Sequence, residues 1–262
     1  MSSMTPLEKA GQRLRHLLAL VIVALIGCLC GCQYEPDNVA FPSTSSPTME
    51  ARTAPPLPDG SDPRPFPPLP ESGDIDAGTY LVPVAGHTEP FEITVPDGWF
   101  ALDGGSVGKD DPDHPAEWAV HITLLPVNYV AMDACKWRGA LSDDGPSAEA
   151  FVDAMAAQSS TASTPPVKVT VGNYSGFEFD HFVEANVDMN ACDGGELCIY
   201  SRHTQACSRW YSTRGERETY RVVDLNGKRA VVAVGRIDES INPELMREAR
   251  AVFDSIVFRS DK

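Results

Sequence analysis

The chain begins polar, turns apolar without interruption from Leu17 to Ile26, becomes polar and proline-rich, and beyond about residue 77 settles into short alternating runs. Residues 78–84 (GTYLVPV) and 91–95 (FEITV) read as strands, and Pro96-Asp97-Gly98 as a turn that delivers Trp99 and Phe100. A Gly/Asp-rich loop is expected over 103–116. In 118–124 the alternation places Trp118, Val120, Ile122 and Leu124 on one face and His121 on the other. A helix is predicted to open at Ser147, with Phe151, Ala154 and Met155 at i, i+3 and i+4. It should end near the Ser/Thr run 159–164, because Pro165-Pro166 forbids continuation.

Residues 167–171 and 176–183 alternate as strands. The sharpest local signal is YRVVDL-NG-KRAVVAVG at 220–235, where Asn226-Gly227 is a type I′ turn between two β-rich runs. Asn242-Pro243-Glu244 then reads as an N-cap, a proline at the first helical position and an acid in the first turn. Leu245, Ala249, Val252, Phe253 and Ile256 follow on one helical face, and 256–258 form a short closing strand. Many antiparallel strands with two helices, one central and one terminal, predict an α+β domain in which an antiparallel sheet packs against two helices.

The apolar run changes the organisation. It follows Lys9, Arg13 and Arg15 and ends in small residues, the pattern of a secretory signal. From Leu17 to Gly31 it is 15 residues long, short of the roughly 20 of a spanning helix. Leu25-Ile26-Gly27-Cys28 resembles the lipobox of bacterial lipoproteins, and Leu29-Cys30-Gly31-Cys32 matches almost as well. The resemblance implies acylation of Cys28, with Cys32 as the alternative, and residence at the outer face of the cell membrane, the lipid bilayer being the first partner. Each buried CH₂ of the acyl chains contributes about 0.8 kcal/mol to anchoring.

Residues 33–76 hold eleven of the twenty-two prolines and are rich in Ser, Thr, Asp and Glu. Such a composition cannot bury enough apolar surface to fold. A disordered spacer is expected, with a reach of roughly 40 Å as a coil and about 130 Å when extended. The predicted organisation is therefore a signal peptide with lipobox at 1–32, the spacer at 33–76 and one extracytoplasmic domain at 77–262. Formal charge is −16 for the chain and −12 for residues 77–262. An acidic domain repels nucleic acid and anionic headgroups, which excludes both as direct partners.

Cys135, Cys192, Cys198 and Cys207 lie in that domain. Outside the cell, four cysteines read as two disulfides with three possible pairings. The stretches Cys135-Lys136-Trp137-Arg138-Gly139, Cys192-Asp193-Gly194-Gly195-Glu196 and VVDLNGKRAVV resemble a group of uncharacterised secreted domains, chiefly of actinobacteria. The ITVPDGW opening and the terminal helix before Ser255-Ile256-Val257-Phe258 resemble, more loosely, the Mog1/PsbP-like fold. The first resemblance implies a Cys135–Cys192 pair, leaving Cys198–Cys207 to close a short loop. Zinc held by these cysteines with His203 is the competing reading, but the spacing fits no common zinc pattern.

Five histidines follow the leader: His87, His114, His121, His181 and His203. Neither HExxH, GxSxG nor a phosphate loop occurs. His181 beside Asp180 suggests a catalytic pair, yet strand neighbours point to opposite faces, so a surface position is expected for His181. Asp110, Asp111, Asp113 and His114 could collect a cation, as could Asp188, Asn190, Asp193 and Glu196, which miss the EF-hand pattern because Cys192 intrudes. Solvated acidic loops are the expectation for both. No catalytic residue, metal site or cofactor is assigned. The sequence leads to a lipid-anchored envelope module that binds a protein, glycan or small ligand. An envelope hydrolase with scattered catalytic residues is the alternative. A groove lined by Trp99, Trp137, Trp210 or Tyr211 would favour binding.

Overall fold

The computed structural model describes residues 66–83, 90–114, 118–124 and 126–258, all within one compact unit spanning 61–262. The leader, Cys28, Cys32, His87 and most of the spacer lie outside the described residues. In chain order the strands are β1 (Ser72–Ile75), β2 (Gly78–Val82), β3 (Phe91–Val95), β4 (Trp99–Leu102), β5 (Ser106–Lys109), β6 (Val120–Thr123), β7 (Tyr129–Ala131) and β8 (Leu141–Ser142). Helix α1 (Ala148–Ala157) precedes β9 (Thr161–Ser163), β10 (Val167–Val171), β11 (Tyr174–Val183), β12 (Leu197–Ser201) and β13 (Arg209–Tyr211). The hairpin β14 (Arg217–Asp224) and β15 (Arg229–Arg236), helix α2 (Pro243–Asp254) and β16 (Val257–Phe258) complete the fold.

This is an α+β fold. A nine-stranded antiparallel sheet runs β1-β4-β5-β6-β15-β14-β11-β10, with β9 also paired to β11. A four-stranded sheet, β13-β12-β7-β8, and a three-stranded one, β16-β3-β2, flank it. The central hairpin follows from its turn: Asn226 and Gly227 both have positive φ, 58° and 84°, and Leu225 and Lys228 exchange backbone hydrogen bonds across them. In α1 the Ser147 hydroxyl accepts from Ala150 N at 3.1 Å, and Ala148, Phe151, Val152 and Met155 are buried, a one-sided stripe. In α2 the Asn242 side chain accepts from Glu244 N at 2.9 Å, and Leu245, Ala249, Val252 and Phe253 are buried.

Each helix takes one face of the large sheet. On β14, Val223 joins the cluster under α2, with Ile122, Val234 and Phe253, and the three-stranded sheet packs into the same core. Tyr220 and Val222 join the cluster under α1, with Phe151, Phe179, Ile199 and Tyr211, so the four-stranded sheet lies on the α1 side. Both faces of its central strands β6, β14 and β15 are covered, while the edge strands β1 and β10 keep solvent-facing residues.

The structure adds two features to the expected fold and moves one boundary. The antiparallel structure is divided among three sheets, because the short strands bordering the central one turn away to close its two faces. The Ser/Thr run after α1 forms a strand, β9, since Thr161–Ser163 finds free pairing positions on the long strand β11. The domain also starts before residue 77. Leu69 N donates to Leu81 O and Leu81 N to Pro67 O, both at 2.8 Å, and β1 pairs with β4. Leu69 and Ile75 are buried in the α2-side core, so residues 67–75 form a strap. Proline composition concealed it, because prolines still offer carbonyls to a neighbouring strand.

Candidate functional site

Antiparallel register brings charged residues from distant parts of the chain into one row on the α1 face. His181 of β11 lies opposite Glu218 of β14, Glu218 opposite Gly235 of β15, and Gly235 opposite His121 of β6. Glycine at 235 is a steric requirement. A Cβ there would lie 2.6 Å from Glu218 Cγ and 2.8 Å from His121 Nε2. Without it, the two side chains meet above β15, with His121 Nε2 2.9 Å from Glu218 Oε1.

Strand β13 closes the row from above. Its alternation sends Arg209 and Tyr211 inward and leaves Trp210 exposed. Arg209 Nε donates to Glu218 Oε1 at 2.9 Å and Nη2 donates to Glu216 Oε1 at 2.6 Å. The same Nη2 lies 3.0 Å from His121 Nε2. That nitrogen can donate to the carboxylate or accept from the guanidinium, but not both. Glu216 Oε2 accepts from Ser212 N at 2.8 Å, and the Tyr220 hydroxyl donates to Glu218 Oε2. His181 Nδ1 is 3.0 Å from the Tyr211 hydroxyl, while its Nε2 is buried with no hydrogen-bond partner among the described residues.

The cluster is enclosed. Glu218 and His181 have no exposed surface, and the Arg209 side chain keeps 13%. Burial works to raise the Glu218 carboxyl, but Arg209 and the His121 hydrogen bond outweigh it and hold the group well below the usual range. Burial lowers His181 to about 4, against the opposing pull of Glu218. Burial likewise pushes the Tyr211 and Tyr220 hydroxyls far up, with the Glu218 charge adding to it. Neighbouring ions so close in a dry interior stabilise one another while each carries a desolvation cost.

The other sequence candidates do not converge on this row. His181 is corrected from a surface position to the interior. Its separation from Asp180 is as expected for strand neighbours, and Asp180 lies on the α2 side, bonded to Arg217 and Thr219 at 2.7 Å each. Asp110 and Asp111 accept from the backbone amides of Trp118 and Asn242, bracing the loop ahead of α2. Asp188 caps a short 3₁₀ turn and Asp193 accepts from Arg138 N. Among the described residues, no three or more His, Cys, Asp or Glu side chains gather as metal ligands.

Both disulfides, Cys135–Cys192 and Cys198–Cys207, are present, with Cα separations of 4.5 and 5.7 Å. They point to an oxidising, extracytoplasmic setting. No described helix is long and apolar enough to cross a membrane. Trp99 and Tyr211 are core residues, Trp99 donating to Glu248 at 2.7 Å, so these tryptophans and tyrosines do not line one groove. Trp210 is opposite Cys198, which packs with Trp137, so both tryptophans belong to the outer face of the four-stranded sheet.

The residues that sequence reading missed are Arg209, Glu216, Glu218, Tyr220 and Gly235. Only Glu218 and Tyr220, at i and i+2 of a strand, carried a local sign of a shared face. No protein-family model matches the chain, and no curated protein matches it at a significant level.

Proposed function

We propose that the chain is a lipoprotein tethered to the outer face of the cell membrane through acylated Cys28, or Cys32, and that its domain is a non-catalytic binding or accessory module of the envelope. One observation carries the non-catalytic reading: His121, Glu216, Glu218 and Arg209 come together enclosed and paired with one another. A hydrolase needs its acid, base or nucleophile within reach of a bound substrate. Here His121, Glu218 and Arg209 are turned toward each other beneath β13. The module's recognition surface is then an outer one, and the face carrying Trp210, 43% exposed beside Cys198–Cys207, is the aromatic part of it.

Mass spectrometry of membrane-extracted protein should find a diacylglyceryl cysteine at position 28 or 32. Replacing that cysteine with Ser should release the protein from the membrane fraction. Recovery of the intact leader overturns the anchor. Turnover of an ester, peptide or glycan that is lost in His121→Gln, with the fold retained, overturns the non-catalytic half in favour of the hydrolase.

A further inference from the structure

His181 stands apart from the rest of the row. Among the described residues its buried Nε2 has no hydrogen-bond partner, while Glu218, on the neighbouring strand directly opposite, is already engaged by Arg209, His121 and Tyr220. The groups facing the row are Glu218 and Tyr220 from β14, Arg209 and Tyr211 from β13, Tyr200 from β12, His121 from β6 and Glu216 from the turn ahead of β14. The nearest carboxylate that could accept from a protonated Nε2 is Glu218, and it can turn there only by loosening Arg209 or His121. Arg209 would keep Glu216, at 2.6 Å. Two arrangements of the same charges therefore compete. In one, Glu218 clasps β13 through Arg209, and in the other it neutralises an imidazolium on β11.

We propose that this row is an acid-operated clasp, in which protonation of His181 draws Glu218 from Arg209 and frees β13, with its exposed Trp210, from the large sheet. The Cys198–Cys207 bond keeps the freed strand attached to β12, so the movement is local and reversible. A closed-state imidazole held at about 4 and an ordinary one near 6.5 when open fix the working window. Across its middle the open population rises roughly tenfold per pH unit, about 80-fold from pH 6.5 to 4.

The test is hydrogen exchange of the full chain between pH 7 and 4, corrected for intrinsic rates and followed by peptide. The segment 208–213, where the Ser212 amide is held by Glu216, should lose protection tenfold per unit while 91–95 in β3 stays protected. In His181→Gln the slope should vanish. A slope that survives in His181→Gln but vanishes in His121→Gln assigns the proton to the wrong histidine and overturns the proposal. The wild-type chain alone also decides: if segments 208–213 and 91–95 open together with one slope, the event is whole-domain unfolding and the clasp does not exist.

Discussion

The two faces of the large sheet are built on different principles. Under α2 the centre is apolar, with Trp99, Ile122, Val234 and Phe253 fully buried, and the charges sit at the margin. There Arg221 and Arg250 lie over the Phe253 ring, 4.2 and 5.2 Å from its centroid, and pair with Glu178 and Asp254. Under α1 the charges occupy the centre and the aromatics surround them: Phe179 stacks on Tyr220, and Tyr200 and His181 meet its edge. Both disulfides are on this second side. Buried ion pairs fix geometry without adding much net stability, whereas a cross-link stabilises by restricting the unfolded chain. The side with the internal charges is the side that carries the staples.

The contrast can be broken most strongly at its two centres. Phe253→Ala should cost about 3–5 kcal/mol, through lost burial and the cavity left behind. Glu218→Ala should cost about as much for the opposite reason, since it leaves the buried Arg209 guanidinium with Glu216 alone and removes the oxygen bonded to His121. Urea titrations separate the two causes: the Phe253 loss should be the same at pH 3 and pH 8, whereas the Glu218 loss should shrink as pH falls below about 4.3, because a carboxylate held below its usual range stabilises fully only above the unfolded-chain value. If both are independent of pH, the distinction between the faces is false.

Removing Cys135 and Cys192 together should cost about 4 kcal/mol, because the bond closes a long loop. The effect belongs to the α1 side. Proteolysis of the disulfide-free variant should begin between residues 127 and 211, and first cleavage in 91–102 would contradict the assignment.

Acid should discriminate next. The unfolded chain protonates His181 near pH 6.5, the folded one only near 4. Its contribution is therefore complete above pH 6.5 and is lost as pH falls toward 4, about 3 kcal/mol in all. His181→Gln should flatten that part of the stability–pH curve. The smallest expected effect is Gly235→Ala, about 1–3 kcal/mol from crowding Glu218 against His121. Its signature is a changed pH dependence, which a plain packing defect would not give.

The unequal construction also explains what could be read in the sequence. The hairpin at Asn226-Gly227, both helices with their Ser147 and Asn242 caps, and the α2 stripe are local patterns, and they stand as expected. The α2-side core was legible because apolar periodicity reports burial directly. The charged row was not. In Arg217-Glu218-Thr219-Tyr220-Arg221 each face of the strand carries polar residues, and alternation alone cannot say which face is covered. His181 was placed at the surface on the assumption that one face of β11 meets water, yet α1 with its small sheet covers one side and α2 the other. The row exists only in register, between residues 97 apart in the case of His121 and Glu218.

The strap at 67–75 has a mechanical consequence. Among the described residues, a pull along the chain from its N-terminal side bears on the two hydrogen bonds that join residues 67–69 to Leu81 and on buried Leu69, and next on the four-residue ladder of β1 on β4. Neither the charged row nor either helix is in that load path. Stretched from the N-terminal side, the molecule should release these nine residues, whose fully extended length is roughly 30 Å, before the strands from β4 onward separate. The strap is a fuse that spares the rest of the domain.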